Sequence, residues 1–243
     1  QVQTGRFRRH ILGTVNYYKL IMKEYNPKYR KLAAKVNELE GKEVFPLPDD
    51  EEEIIRRSIF VLYNGWNGCC GQGTAFYVRG AGLVTCLHNI TKNVKNIADL
   101  EEYIRENVSV FLPGGKKIPV KYVQSWETED LCLLDFEYGV PPYGFELAKD
   151  MRPVRGQGGF TAYGYPEFVE DGTEEADCVQ SLRVRHVRTY MGQEQFLVDK
   201  TFYRGSSGGP VLNAERKAVG LIDRGAGIGD AEEEGISAFC SLL

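Results

Sequence analysis

The chain has 243 residues, of which 42% are hydrophobic and 12% aromatic, and a net charge of −4. This composition suits one large or two small globular domains, and no run approaches the ~18 consecutive apolar residues of a membrane span. The start lacks the charged and then apolar pattern of an export signal. We therefore expect a soluble protein with no membrane partner. The first residue, Gln1, is not Met, so the chain being a fragment stays open, as does its oligomeric state.

Basic residues are concentrated at the start of the chain. Residues 1–37 contain nine Lys or Arg and a single acid, Glu24, a balance of +8, so the rest of the chain is acidic. Such an asymmetry suggests two parts with different partners, the first of which can face a polyanion such as RNA or DNA.

The first 57 residues are predicted to be helical segments joined by a linker. In residues 1–41 apolar side chains recur at helical spacing, and an Asn-Pro pair breaks the pattern before a second helix. Residues 42–57 contain VFPLPDDEEE, whose prolines and acids predict a linker followed by an acidic helix start.

Residues 58–243 are predicted to form one all-β domain. Short runs rich in β-branched and aromatic residues are bounded by Gly, Pro, Asn or Asp, and include IFVLYN, GTAFYVR, GLVTCL, LCLLDF, QSLRVRHVRTY, EQFLVD, PVLN and AVGLI. One helix, IADLEEYIREN, is predicted, and Gly114-Gly115 indicates a hairpin. This spacing fits a barrel or a pair of barrels with active residues on the connecting loops.

The six cysteines give no indication of a metal site. They form no Cys-x-x-Cys pair and have no histidine at ligand spacing. Cys86, Cys132 and Cys240 lie in apolar strand-like runs, where a free thiol behaves as a small buried hydrophobic group. We expect no metal, no cofactor and a reducing compartment, which favours the cytoplasm.

The stretch FYRGSSGGPV contains a candidate nucleophile, Ser207. An acyl-transfer nucleophile needs backbone N–H groups directed at the developing oxyanion, and a glycine before the serine lets the backbone turn without a Cβ clash. The alternative interpretation is a flexible Gly/Ser loop, although Pro210 and the apolar residues after it indicate that a strand begins at once.

A serine nucleophile requires a base, and the chain has three histidines. His10 lies in the basic segment, and His186 alternates within a strand. His88 ends the apolar strand GLVTCL before a polar loop, which makes it the candidate base, although a lone histidine there can also be structural.

The base in turn needs a carboxylate to orient it. Asp130 lies at the mouth of the apolar run LCLL and is the first candidate, with Asp135 the second. Glu127 and Glu129 are interpreted as solvated loop charges. Each residue alone is weak evidence, but the order His, Asp, Ser at strand ends of an all-β chain is a strong pattern.

From about residue 58 to its end, the chain resembles the trypsin-like serine peptidases of the chymotrypsin fold, particularly the disulfide-free bacterial branch that includes the HtrA proteases. The matching pieces are GTAFYVRGAGLVTCLHNI, EDLCLL, GSSGGPVLN and AVGLI with GISAF. The resemblance implies a mostly β protein with a double β-barrel behind a short helical segment. It implies His88 as base, Asp130 as its orienting partner, Ser207 as nucleophile, and an oxyanion hole formed by the N–H groups of Gly205 and Ser207.

Departures from the family pattern refine this expectation. Secreted members usually carry cysteine directly after the histidine, where this chain has Asn89, which agrees with a cytoplasmic protein. Ser206 replaces the aspartate of enzymes that are activated by N-terminal cleavage. No PDZ-like region follows the last strand, which disfavours a housekeeping HtrA protease.

The resemblance also implies a primary substrate pocket walled by two segments. The residues concerned are Thr201, Phe202 and Tyr203 on one side and Ile222, Asp223, Arg224 and Gly225 on the other. Asp223 can receive a substrate Arg or Lys, but pairing with Arg224 or with solvent is the favoured expectation.

The segment RRHILGTVNYYKLIMKEYNPKYRKLAAKVNEL resembles the end of the thumb region of retron-type bacterial reverse transcriptases. This implies a reverse transcriptase fused to a trypsin-like protease that acts as a regulated effector in anti-phage defence, with protein substrates and a nucleic acid partner. A basic helical hairpin packed on the barrel is the alternative for this segment. For the whole protein, a catalytically silent binding module and a constitutive quality-control protease stay open.

Overall fold

The computed structural model of the protein describes residues 51–66, 69–91, 99–112, 115–137, 143–148, 151–166, 176–190, 192–224 and 237–242. The predicted basic segment (1–41) and the linker up to residue 50 lie outside these residues.

The first half of the domain is a closed six-stranded barrel. Its strands are β1 (Ile59–Trp66), β2 (Cys69–Val78), β3 (Gly82–Cys86), β4 (Val108–Phe111), β5 (Lys117–Trp126) and β6 (Leu131–Phe136). The order around the barrel is β1-β2-β3-β6-β5-β4, and β1 pairs with β4 to close it. β4 and β5 are antiparallel neighbours, which confirms the predicted hairpin.

Within the part of the chain that the structure describes, three short helices flank this barrel: α1 (Glu51–Arg56), α2 (His88–Thr91) and α3 (Leu100–Asn107). The first turn of α1 is acidic, as predicted from the run DDEEE. α3 begins where the Asp99 side chain accepts a hydrogen bond from the N–H of Glu102. The prediction of a polar loop after His88 is wrong, because the carbonyl of Leu87 accepts from the N–H groups of Ile90 and Thr91 and winds the chain into one helical turn.

The second half is a seven-stranded sheet with the order β8-β7-β11-β12-β13-β10-β9. The strands are β7 (Phe160–Gly164), β8 (Asp177–Leu182), β9 (Val184–Tyr190), β10 (Gln193–Val198), β11 (Pro210–Leu212), β12 (Ala218–Arg224) and β13 (Ala238–Ser241). Only Arg183 separates β8 from β9, so the sheet must curl until its two edge strands approach each other. The prediction of one strand over QSLRVRHVRTY is therefore wrong, because β8 ends at Leu182 and β9 begins at Val184, with the break at Arg183.

Hydrophobic side chains form three clusters that match this architecture. One fills the closed barrel and includes Phe60, Leu83 and Phe136. A second lies within the seven-stranded sheet, where Phe196 stacks on Phe239 with ring centroids 5.2 Å apart. A third combines residues of both halves and packs them together. This arrangement confirms the predicted mostly β, chymotrypsin-like double barrel.

None of the helices among the described residues is long and apolar enough to cross a membrane.

Candidate active site

His88 and Asp130 meet where two paired strands of the first barrel end. β3 and β6 are antiparallel with Cys86 opposite Leu131, so the residue after one strand lies beside the residue before the other. The N–H of Leu87 donates to the Asp130 carbonyl at 2.9 Å, and the N–H of His88 donates to Asp130 Oδ1 at 2.8 Å. Asp130 Oδ2 is hydrogen-bonded to His88 Nδ1. The structure thus brings these two predicted residues together.

This pairing determines which nitrogen of His88 can act as a base. A carboxylate accepts hydrogen bonds only, so Nδ1 carries the proton and the lone pair lies on Nε2. Both side chains are partly exposed, which leaves the imidazole accessible. Asp130 has a φ of 47°, a left-handed conformation that Asp and Asn tolerate better than most residues.

The other acids of this region are not part of the pair. Asp135 lies on β6 with its carboxylate 3.6 Å from the Lys121 ammonium, and burial raises its pKa. Glu127 is exposed as predicted. The prediction that Glu129 is a solvated charge is wrong, since it is only 7% exposed. The loop is covered by the start of β10, where Gln193 Nε2 donates to the Glu129 carbonyl at 2.7 Å.

Ser207 lies on a tight loop that leads into β11. Two turns shape the loop: the N–H of Ser206 donates to the Tyr203 carbonyl and the N–H of Gly209 to the Ser206 carbonyl. Gly208 has a φ of 88°, and a Cβ there would lie 2.1 Å from the carbonyl oxygen of Thr74, on the first barrel. Glycine is required here because the loop presses directly against the opposite half of the domain.

The hydroxyl of Ser207 donates to the carbonyl of Asp223 at 3.2 Å. Within the described residues it makes no hydrogen bond with His88, so the structure brings the candidate nucleophile to the same junction without completing a Ser-His contact. Hydrogen bonds between catalytic groups are often loose before substrate binds.

A buried carboxylate, Asp223, lies beside the His-Asp pair. It is 6% exposed and accepts a hydrogen bond from Gln195 Nε2. Donor atoms of Cys86, His88, Asp130 and Asp223 all lie within 4.8 Å of one another, the spacing of a group that can hold a metal ion. His88 and Asp130 are already hydrogen-bonded to each other, and burial raises the pKa of the Cys86 thiol, which opposes formation of the thiolate that would bind a metal.

A family model supplies the deciding comparison. The trypsin-like peptidase domain matches residues 73–221, more than half of the chain and both halves of the fold. The chain belongs to the trypsin-like peptidase family. It is therefore a serine endopeptidase, as predicted, with proteins as its substrate class.

Solved structures agree with this peptidase fold. The active form of the Rv3671c protease from M. tuberculosis is similar with a TM-score of 0.58 and 16% identity, over 82% of this chain and 89% of that chain. The inactive form of the same protease is similar with a TM-score of 0.52 and 17% identity, over 81% of this chain and 93% of that chain. A serine endoprotease from Yersinia pestis is similar with a TM-score of 0.56 and 15% identity, over 81% of this chain and 64% of that chain. No curated protein matches the peptidase sequence.

The residues predicted to wall the substrate pocket divide by exposure. Thr201 and Tyr203 are exposed, Tyr203 to 51%. Phe202 is 1% exposed and belongs to the apolar core of the second half, so its side chain does not face a substrate. Of the two favoured partners of Asp223, solvent is wrong, because the carboxylate is buried and accepts a hydrogen bond from Gln195 Nε2. The other, the Arg224 side chain, lies outside what the structure describes. The predicted pocket residue Gly225 lies outside the described residues.

The N–H groups predicted to bind an oxyanion are those of Gly205 and Ser207. Neither donates a hydrogen bond to any other residue in the part of the chain that the structure describes, although their neighbours Ser206, Gly208 and Gly209 all donate. Gly205 has a φ of 92°, which glycine adopts without strain.

Three polar residues that support the peptidase site were not identified from sequence as members of it: Thr74, Thr85 and Asn89. All three bind one another or the Ser207 loop. Asn89 had been noted only as a departure from the family pattern. The sequence gives only a weak indication of these three residues, namely the glycines at 73 and 208, where a side chain would collide with them.

Proposed function

We propose that this peptidase cleaves proteins through a triad of Ser207, His88 and Asp130 and an acyl-enzyme intermediate. The observation that carries the proposal is the pair of hydrogen bonds between His88 and Asp130, at the junction where the Ser207 loop meets the first barrel. The pair leaves Nε2 of His88 with a lone pair, which is what a serine needs to become a nucleophile.

The proposed reaction begins with a rotation of the Ser207 side chain. Its hydroxyl leaves the Asp223 carbonyl and turns toward His88 Nε2, a change between staggered rotamers. As Ser207 Oγ attacks the substrate carbonyl carbon, its proton passes to Nε2, and Asp130 stabilises the resulting imidazolium. The N–H groups of Gly205 and Ser207 bind the oxyanion. His88 then protonates the leaving amine, and a water molecule hydrolyses the acyl-enzyme by the same route.

Labelling with a fluorophosphonate tests the nucleophile and the base together. We expect the wild type to be labelled and Ser207→Ala and His88→Ala to be unlabelled. Ser206→Ala is the matched control, since Ser206 is adjacent but 6% exposed, and it should still label. A folded wild type that does not label under any condition, and cleaves no peptide library, would indicate a protease-fold binding module instead.

We further propose that the peptidase is the effector part of a retron reverse transcriptase fusion that acts in the cytoplasm. The supporting observation is the balance of +8 in residues 1–37, which suits phosphate contacts, on a chain whose remainder is acidic. The free Cys86, Cys132, Cys178 and Cys240 agree with a reducing compartment.

The effector proposal is tested with the full-length protein in infected and uninfected cells. We expect cleavage of host proteins only after phage infection, and nucleic acid that copurifies with the wild type but is lost when the basic residues of 1–37 are replaced by Gln. Equal cleavage with and without phage would remove the effector role. Degradation of unfolded proteins without any trigger would indicate a quality-control protease.

A further inference from the structure

Asn89, the residue after His88, bridges the two halves of the domain. Its side-chain Nδ2 donates to the carbonyl of Ser207 at 2.8 Å and to Thr85 Oγ1 at 3.1 Å. Thus α2 contains His88, and the next residue, Asn89, contacts the backbone of Ser207 directly.

The Ser207 loop receives further hydrogen bonds from the same barrel. The N–H of Thr74 donates to the Ser207 carbonyl at 2.8 Å, and Thr74 Oγ1 donates to the Gly205 carbonyl at 2.8 Å. Two of the loop's carbonyls, one on each side of Ser206, are therefore fixed by groups from the histidine-bearing barrel. With these peptide planes held, the intervening backbone has little freedom to turn.

The neighbours of Asn89 require a donor at this position. The Thr85 hydroxyl gives its own hydrogen to the Thr74 carbonyl at 2.8 Å, so toward Asn89 it can only accept. The Ser207 carbonyl is also an acceptor. An amide nitrogen has two hydrogens and meets both acceptors, whereas a carboxylate would place oxygen against oxygen. Thr85 is fully buried, so water does not replace a lost bond at its hydroxyl without rearrangement.

Two glycines leave the space that the Asn89 side chain occupies. A Cβ on Gly73 would lie 2.3 Å from Asn89 Nδ2, and a Cβ on Gly208 would lie 2.9 Å from the same atom. The amide is therefore enclosed by backbone on both sides, and its position is fixed by packing as well as by hydrogen bonds.

We infer that Asn89 is a positioning residue that holds the nucleophile loop against the barrel that carries the base. This inference rests on the proposed triad. Within the described residues the Asn89 amide hydrogen-bonds to Thr85 and Ser207 and not to the imidazole, and its role is to fix the distance between Ser207 and His88 and the direction of the oxyanion-binding N–H groups.

The experiment compares rates of fluorophosphonate labelling across pH for wild type, Asn89→Asp and Asn89→Ala. We expect both variants to label on the order of 100-fold more slowly, the loss typical of a nucleophile displaced by about 1 Å. The pH midpoint of Asn89→Ala should stay unchanged, since this variant adds no charge and leaves the His88–Asp130 pair in place. Asn107→Ala is the matched control, because Asn107 Nδ2 also donates to a backbone carbonyl, that of Tyr103, but on α3.

A second pair of variants keeps the inference testable if Asn89→Asp fails to fold. Thr85→Val removes the acceptor that orients the amide, whereas Thr85→Ser keeps it, so only Thr85→Val should slow labelling. Folding of each variant is checked by circular dichroism and thermal unfolding. Labelling of folded Asn89→Ala at the wild-type rate, or a shifted pH midpoint, would overturn the positioning role alone. Absence of wild-type labelling under any condition, with no cleavage of a peptide library, would instead overturn the proposed triad.

Discussion

Replacing Asp130 by Asn tests the orientation of the base with little disturbance of the fold. Asn tolerates the left-handed conformation of this residue, with φ of 47°, whereas Ala there would add a backbone cost of roughly 1–2 kcal/mol. The side-chain oxygen of Asn can still accept from the N–H of His88, as Oδ1 does now at 2.8 Å. The amide NH₂ then faces His88 Nδ1, donates to it and moves the imidazole proton to Nε2, where it blocks the base.

The size of the effect follows from the two bonds that Asp130 makes. If the new amide of Asp130→Asn flips, its oxygen accepts from His88 Nδ1 and the proton returns to that nitrogen, which restores a free lone pair on Nε2. The amide NH₂ then faces the backbone N–H of His88, and this donor-to-donor contact costs about 1–3 kcal/mol. Loss of the charge-assisted bond to the imidazolium costs about 1.5–3 kcal/mol more. Together these give about 2.5–6 kcal/mol in the barrier, or roughly 70- to 25,000-fold in rate.

The assay is the second-order rate constant for fluorophosphonate labelling at neutral pH, with unfolding in urea measured in parallel. Asp135→Asn is the matched control, because Asp135 was the second candidate from sequence and lies on the strand that Asp130 precedes. We expect it to label at the wild-type rate. The reasoning is refuted if folded Asp130→Asn labels within about tenfold of wild type, or if Asp135→Asn loses as much.

Three further predictions concern packing and pH. Gly208→Ala should slow labelling on the order of 100-fold, because the new Cβ would lie 2.1 Å from a carbonyl oxygen and displace the loop; a wild-type rate would contradict this. Phe239→Ala should lower the free energy of unfolding in urea by about 3–5 kcal/mol, since the ring is fully buried and packs on Phe196 and Phe160. Burial raises the pKa of Asp135, so the folded state binds its proton more tightly than the unfolded state and wild-type stability falls as pH rises from 3.8 through that raised pKa. Asp135→Asn should lack this fall, as urea unfolding at a series of pH values will show.

Features set by local sequence could be predicted. Asp99 and the pattern after it define α3, and the short β-rich runs define most strands. His88 and Asp130 could be found because each lies at the end of an apolar run, and antiparallel pairing of those runs brings their ends together. The choice of Asp130 over Asp135 followed from the same reasoning, since the first precedes its strand and the second lies within it.

Features set by contacts distant in sequence could not be predicted. Burial of Glu129 depends on Gln193, 64 residues later. The Asp223 carboxylate is directed by Gln195 on a strand that precedes it by 28 residues. The alternation in QSLRVRHVRTY gives no reason to break at Arg183; the break follows from the need to join the two edges of a curled sheet. The hydrogen bond of Asn89 to Ser207 could not be predicted for the same reason, since the two residues are 118 positions apart in the sequence.

The proposed triad has two parts that depend on different contacts. His88 and Asp130 are held by the pairing of β3 with β6 inside one closed barrel, so their hydrogen bonds survive as long as that barrel is folded. Ser207 belongs to the other half, and the bonds of Thr74 and Asn89 across the junction hold its loop against the barrel that carries His88. Small movements between the halves should therefore abolish acyl transfer while the His-Asp pair stays intact. If the proposed triad is correct, we expect activity to depend on this junction, where the hydrogen bonds of Thr74 and Asn89 hold the Ser207 loop against the barrel that carries His88.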